Sequence, residues 1–172
     1  MAASDTGRFT DALADLDVGW TRATAAEWPT VLTKVVEPPA VGAALPHEGV
    51  SLDASEVDVE MDPSLEDLRA ARTGVTGAAL GIADYGSVVL RTDEAPLTEA
   101  ASLFVDHHVA VLGASDVRPD MAAALETLGP VFREEDADAI VATGPSATAD
   151  MGALVRGAHG PETVHVVLLT DR

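Results

Sequence analysis

The stretch His108-Val109-Ala110-Val111-Leu112 is a short apolar run with the length of a buried β-strand. A helical pattern that begins on Pro119 follows it over 119–128, and a further apolar run occupies 138–142. The run over 164–169 again has strand length. Strands that alternate with helices over short connections are typical of a largely parallel sheet covered on both faces. The sequence therefore predicts an α/β fold.

Shorter elements precede this region. Two strands, 78–83 and 87–90, flank the bend at 84–86 and predict a hairpin or a sharp change of direction. We also expect helices over 6–16, 65–72 and 97–104, an edge strand around 57–59, and a short helix through Glu27 that Trp28 and Pro29 interrupt. No repeat and no long linker divides the chain, so we expect one domain over residues 1–172.

The charge balance is strongly acidic. The chain has 29 acidic and 10 basic residues, a formal net charge of -19, and Lys34 is its single lysine. Self-repulsion of this size is largely screened in molar salt, where the Debye length falls to about 3 Å. We therefore expect a halophilic, cytoplasmic protein, with an acidic partner-binding protein in ordinary salt as the alternative. The chain has no basic stripe for phosphates, which argues against a nucleic-acid partner.

Cysteine is absent. This excludes disulfides, thiolate zinc sites, a cysteine nucleophile and iron–sulfur clusters ligated by this chain. No apolar run is long enough for a membrane span, and the first ten residues do not have the pattern of a signal peptide. We expect no cofactor and no membrane contact in this chain.

The turn Thr143-Gly144-Pro145-Ser146 carries the best candidate site. It follows the predicted strand 138–142 and precedes a predicted helix over 146–156, with Ser146 as the N-cap and Asp150 in the first turn. Free N–H groups at such a helix start bind carboxylates or phosphates, and ligands gather at the carboxyl ends of parallel strands. An ordinary capped strand-to-helix turn explains the same residues. The pattern is neither a Walker A loop nor the dinucleotide fingerprint.

A second candidate lies at the bend Asp84-Tyr85-Gly86-Ser87. A carboxylate there can act as a general base or hold a substrate hydroxyl, although aspartate is also common in turns for purely structural reasons. The histidines at 107, 108, 159 and 165 could meet around a metal, but no acids stand at ligand spacing beside them. We therefore expect no metal site.

Two stretches resemble the signatures of the lactate-utilisation protein C (LUD-domain) family. The first is Thr73-Gly74-Val75-Thr76-Gly77-Ala78 continued by residues 81–90. The second is 143–150 with Arg156-Gly157-Ala158-His159-Gly160-Pro161 and the strand from His165. The resemblance covers the core, 63–171, and leaves a divergent part, 1–62.

The resemblance implies a three-layer α/β/α fold with a mostly parallel sheet, of the kind shared with glucosamine-phosphate deaminase, ribose-phosphate isomerase and coenzyme A transferases. It also implies a place in L-lactate oxidation to pyruvate beside iron–sulfur partner proteins, the only expected carriers of clusters. A homo-oligomer is left open. The expected catalytic residue is Asp84, and the expected ligand-binding residues are Thr143, Gly144, Pro145, Ser146, Thr148, Asp150, Gly86, Ser87 and His159.

Two positions depart from the family pattern. The family bend usually reads Glu-Thr-Gly-Thr/Ser, whereas Asp84 shortens the carboxylate by one methylene. After Asp150 the family usually has Ile or Val and then Glu, where this chain has Met151-Gly152. Both departures weaken the transfer of a catalytic role.

Three functions follow as hypotheses. The first is a subunit or accessory factor of lactate oxidation that binds a small carboxylate or phosphorylated ligand at the 143–148 turn. The second is a stand-alone enzyme that acts on a phosphorylated sugar or acyl-coenzyme A with Asp84 as base or nucleophile. The third is a scaffold without a ligand.

Overall fold

The computed structural model describes residues 2–92, 97–134, 137–150 and 153–172. Its helices are α1 (Ala2–Asp15), α2 (Trp28–Val35), α3 (Leu65–Ala70), α4 (Thr98–Leu103) and α5 (Met121–Glu134), with short 3₁₀ turns at Leu52–Ala54 and Ala114–Asp116. Its strands are β1 (Gly19–Ala23), β2 (Ala40–Gly42), β3 (Val59–Glu60), β4 (Thr73–Ala78), β5 (Leu80–Ile82), β6 (Ser87–Arg91), β7 (His107–Gly113), β8 (Val117–Arg118), β9 (Ala139–Thr143), β10 (Ala147–Asp150), β11 (Ala153–Arg156) and β12 (Thr163–Leu169).

A six-stranded sheet in the order β1-β12-β7-β4-β2-β3 forms the centre, and every neighbouring pair in it is parallel. The middle strands are apolar on both faces: Val109, Val111, Ala110 and Leu112 of β7 are fully buried. This is the burial expected of a parallel sheet with both faces covered. The prediction of a three-layer fold with a mostly parallel sheet is confirmed.

The first 62 residues contribute three of the six central strands, β1, β2 and β3. Between β1 and β2, helix α2 packs on one face of the sheet through Trp28 and Leu32, both fully buried. The prediction that Trp28 and Pro29 interrupt a helix is wrong, because the helix begins there with Pro29 in its first turn. Proline is favourable at that position, since the N–H that it lacks has no intrahelical acceptor there.

A smaller sheet covers the other face. Its order is β8-β5-β6-β9, and β6 is antiparallel to both β5 and β9. Phe9 and Leu13 of α1 fill the space between the two sheets and are fully buried. The predicted hairpin around the 84–86 bend is confirmed, whereas β9 belongs to this second sheet and not to the parallel one.

The predicted helix over 146–156 is wrong. Residues 147–150 and 153–156 form an antiparallel pair, β10 and β11, with Thr148 opposite Val155. Two backbone bonds fix the base of this hairpin: Ser146 N–H donates to Pro161 O at 2.8 Å, and Gly157 N–H donates to Ser146 O at 3.0 Å. β-branched residues such as Thr148 and Val155 suit strands, and this pairing overrides the helical spacing of a short segment.

The described helices are short. The longest, α1 and α5, have 14 residues each. None of the helices in the described ranges combines the length and the hydropathy needed to cross a bilayer.

Candidate functional site

A cavity of about 540 Å³ lies between the central sheet, the second sheet and the base of the β10–β11 hairpin. Its floor is apolar and comes mainly from three strands: Val88 and Leu90 of β6, Ile140 and Ala142 of β9, and Val164 and Val166 of β12. Seven of the nine predicted ligand-binding residues line it. They are Gly86, Thr143, Gly144, Pro145, Ser146, Thr148 and His159.

Strand pairing brings the two predicted segments together at this cavity. Ser87 opposes Thr143 in the β6–β9 register, and their hydroxyl oxygens are 2.7 Å apart. Ser87 is buried beneath this bond. It therefore positions Thr143 and does not line the cavity itself.

The turn after β9 changes direction at Gly144, whose φ of +68° is a conformation that favours glycine. The following residue pair, Pro145 and Ser146, leads into the hairpin and lines the cavity. Ser146 does not act as a helix cap. Its N–H is already bound to Pro161 O, and its Oγ accepts a 3.4 Å bond from His159 N–H. The expected row of free helix-terminal donors is therefore absent at this described turn.

The position of the turn in the fold also differs from the prediction. The cavity contacts the starting half of the parallel strands, at His108 of β7 and at Val164 and Val166 of β12. The turn therefore does not lie at the carboxyl ends of the parallel sheet, because β9 runs in the second sheet.

His108 is a cavity residue that the sequence hypothesis did not assign to the site. Its Nε2 lies 2.8 Å from Thr76 Oγ1, and both side chains are buried. Burial, with a smaller effect from His107, lowers the pKa of His108 to about 4. His108 is therefore a neutral imidazole at neutral pH. His108, Ala110 and Leu112 lie on the same face of a strand over 108–112, because successive side chains alternate between its two faces. This alternation is the sequence signal that could have placed His108 in the site.

Helix α4 supplies two further polar residues that the sequence hypothesis missed, Glu99 and Ser102. They are three positions apart and so share one face of the helix. Ser102 Oγ donates to Glu99 O at 3.0 Å, while Glu99 is exposed at the cavity rim. No lysine or arginine is among the described residues that line this cavity.

Asp84 lies outside the lining. Its carboxylate forms an ion pair with Arg8 of α1, and both side chains are about half exposed. The structure gives Asp84 no contact with the cavity, and its catalytic role stays a prediction. The backbone of Asp150 lies in β10, opposite Ala153, and its side chain is outside the described part of the chain.

His107 and His165 each pair with a threonine side chain and not with a shared metal site. His107 Nδ1 lies 2.8 Å from Thr163 Oγ1, and His165 Nε2 lies 2.9 Å from Thr21 Oγ1. The two rings are 6.5 Å apart, and burial lowers the pKa of each. Within the described residues, no group of three His, Asp or Glu side chains is arranged to hold a metal ion.

Comparison with known proteins gives the family. A sequence-family model described as "LUD domain" matches residues 17–169, which is most of the chain. The chain belongs to the LUD-domain family. It is 26% identical over 168 residues to a protein of Deinococcus radiodurans named "Lactate utilization protein C", an alignment that covers 94% of this chain and 78% of the relative.

A solved structure has the same fold as this LUD domain. The crystal structure of a DUF162 family protein from Deinococcus radiodurans matches it with a TM-score of 0.78 and 23% identity. The match covers 99% of both chains. At this identity the likeness concerns the fold alone.

Proposed function

We propose that this LUD-domain protein takes part in lactate utilisation and binds a small-molecule ligand in the cavity above the Thr143–Ser146 turn. Membership of the family and the name of the Deinococcus radiodurans relative support the pathway. The observation that carries the binding role is the cavity itself, which brings most of the predicted ligand residues together over an apolar floor.

The lining favours a ligand with an apolar body and one polar end. The volume of about 540 Å³ is within the usual range of small-molecule sites, roughly 300–1,000 Å³. Thr148, Ser146 and His159 supply hydroxyl and imidazole groups at the turn, and Glu99 of α4 adds a carboxyl group to the lining. An anionic group would bind at the turn without a cationic side chain. We therefore expect weaker binding of free lactate or pyruvate than of a ligand with a longer, less charged body, such as the acyl-pantetheine arm of an acyl-coenzyme A.

Calorimetric titration in molar potassium chloride tests this ranking with L-lactate, pyruvate, coenzyme A, acetyl-coenzyme A and glucosamine 6-phosphate. Ala142→Leu fills the cavity floor, so we expect at least a tenfold loss of affinity for whichever compound binds. Val141→Leu is the matched control, because Val141 lies on the same strand but is exposed outside the cavity. Equal affinities in the two variants would refute binding in this cavity.

Growth assays test the role in lactate utilisation separately from ligand binding in the cavity. Deletion of the gene should abolish growth on L-lactate and spare growth on pyruvate. Complementation with the Ala142→Leu variant should fail only if the cavity is needed. Unimpaired growth of the deletion strain on L-lactate would overturn the lactate role whatever the ligand titrations give.

Partner proteins with iron–sulfur clusters remain part of this proposal, since the chain has no cysteine to hold a cluster. Their co-purification with the tagged protein in molar salt, detected by iron content and visible absorbance, is the expected result. The stand-alone enzyme with Asp84 at its centre has no supporting contact, because that carboxylate pairs with Arg8 away from the cavity.

A further inference from the structure

A crevice opens at the carboxyl ends of β2 and β4. The cavity described above lies at the opposite ends of the parallel strands. The two strands are neighbours in the central sheet. After β2 the chain turns onto the face covered by α2, where Leu52 packs with Trp28. After β4 it turns onto the other face, where Ala78 packs with residues of the second sheet. Adjacent strands whose connections leave to opposite faces form the usual ligand crevice of open α/β sheets.

Two adjoining hollows occupy this crevice, with volumes of about 290 and 260 Å³. Both are lined by Pro46 from the loop after β2, by Ala79 from the segment after β4 and by Arg91. The larger hollow adds Arg118 and His47. Two of the ten basic residues of a chain with 29 acidic ones therefore line one small crevice.

Arg118 is held in place by neutral acceptors. Its Nε donates to Thr127 Oγ1 at 3.1 Å, and its Nη1 donates to the carbonyl oxygens of Ser115 at 2.9 Å and Val117 at 3.4 Å. No carboxylate in the described part of the chain lies within ion-pair distance of Arg118. Among the described residues its charge thus has no carboxylate partner, and its planar group is already oriented, which suits it to bind an oxyanion.

The other charges of the crevice are mixed. Arg91 has contacts of its own, so the binding argument rests on Arg118 alone. Asp116 is the one acidic residue in the described lining of the larger hollow. His47 Nε2 lies 3.4 Å from Val111 O at the floor.

We propose that this crevice is a second binding site, for a small oxyanion group such as a carboxylate or a phosphate. It is independent of the proposed cavity ligand, because the two lining sets share no residue. The site explains why one of the few arginines of an acidic chain is fixed beside a strand-end crevice with no carboxylate partner among the described residues.

Titration followed by ¹⁵N–¹H NMR tests the site with inorganic phosphate and with acetate, each at constant ionic strength. We expect saturable shifts of the Arg118 Nε–H signal and of the backbone signals of His47, Ala79 and Leu80. Saturation with phosphate alone assigns a phosphate group, and saturation with acetate alone assigns a carboxylate. Shifts that grow linearly for both anions would overturn the proposal.

Matched variants locate the binding. Arg118→Gln should weaken it at least tenfold. Arg133→Gln removes the same charge from an exposed position on α5 outside both hollows, and it should leave the affinity unchanged. Equal losses in the two variants would show a general charge effect and refute the site.

A further variant covers the case in which Arg118→Gln does not fold. Ala79→Leu fills both hollows and keeps Arg118, so it should also abolish the saturable shifts. Ala142→Leu, in the other cavity, should leave them intact. Unchanged anion binding in Ala79→Leu would contradict the proposal.

Discussion

His108 shows how one residue connects the site to stability. The side chain is fully buried in β7, bonds to Thr76 and lines the cavity. Its pKa falls from 6.5 to about 4 in the folded chain because burial disfavours the charged imidazole. As the pH falls below about 6.5, His108 binds a proton in the unfolded chain but stays neutral in the folded chain. The stabilising contribution is therefore complete above pH 6.5 and is lost toward pH 4.

We predict that the free energy of unfolding contains a pH-dependent part of about 3 kcal/mol from His108 between pH 7 and pH 4. Burial also lowers the pKa values of His107 and His165, which adds to the loss in the same direction. Urea unfolding at a series of pH values should give a flatter curve for His108→Gln than for the wild type. Above pH 7 the two curves should run parallel, because an uncharged His108 makes no pH-dependent contribution there. Below pH 7, a parallel curve for His108→Gln would contradict the prediction.

At the scale of elements, α4 lies directly against β4. Gly74 faces the carbonyl of Ala101, and a Cβ at Gly74 would overlap this backbone oxygen. Ala101 and Val105 are buried in the same contact, together with Val41 and Ala71. This close approach fixes α4, and with it Glu99 and Ser102 at the cavity rim.

We predict that Gly74→Ala destabilises the fold by at least about 2 kcal/mol, because backbone must move to admit the methyl group. The control is Gly7→Ala in α1, where nothing lies within 4 Å of the added carbon. Alanine is the better helix former, so this change should stabilise by about 0.5–1 kcal/mol. Chemical denaturation of both variants measures the difference. A neutral Gly74→Ala would show that α4 does not pack as closely as described.

The elements that the sequence predicted well are those with a strong local pattern. The strands β7 and β12 are apolar on both faces, and the Asp84–Gly86 bend joins β5 and β6. Local pattern also predicted the helix over 65–72, and α3 occupies Leu65–Ala70, where the Ser64 side chain caps the helix by accepting from Asp67 N–H.

The parts that failed depend on partners distant in the chain. The segment 146–156 has helical spacing, but β10 pairs with β11, and bonds of Ser146 to Gly157 and Pro161 fix the base of the pair. The contribution of β9 to a separate antiparallel sheet follows from its pairing with β6, which no local pattern encodes. For this reason the sequence assigned the wrong kind of donor to the Thr143–Ser146 turn, and ligand binding at this turn stays a prediction.

At the scale of the whole molecule, charge is the dominant property. The formal net charge of -19 lies on a chain whose described arginines include several that pair with nearby acids, such as Arg72 with Glu37 and Arg156 with Asp17. Such exposed ion pairs contribute little to the free energy of folding. The excess acidic side chains repel one another at low ionic strength, and this repulsion destabilises the folded chain. A molar-salt environment remains our proposal for the conditions that this protein requires.

We predict that the unfolding temperature rises steeply with potassium chloride between 0.1 M and 1 M, where the Debye length shortens from about 10 Å to about 3 Å. A variant with Asp53, Glu56, Glu66 and Glu126 replaced by their amides should show a weaker rise over that range. These four side chains lie at or near the surface and outside both proposed sites. A salt dependence equal to that of the wild type would contradict the repulsion argument.

The order of strands in the central sheet has a consequence for synthesis. β1 pairs only with β12 in that sheet, and the bonded residues Thr21 and His165 are 144 positions apart. A nascent chain therefore carries its first strand without a neighbour until residues 163–169 have been translated. During that interval the ribosome-bound protein exposes an unpaired strand edge, and it depends on speed of completion or on chaperones to avoid aggregation.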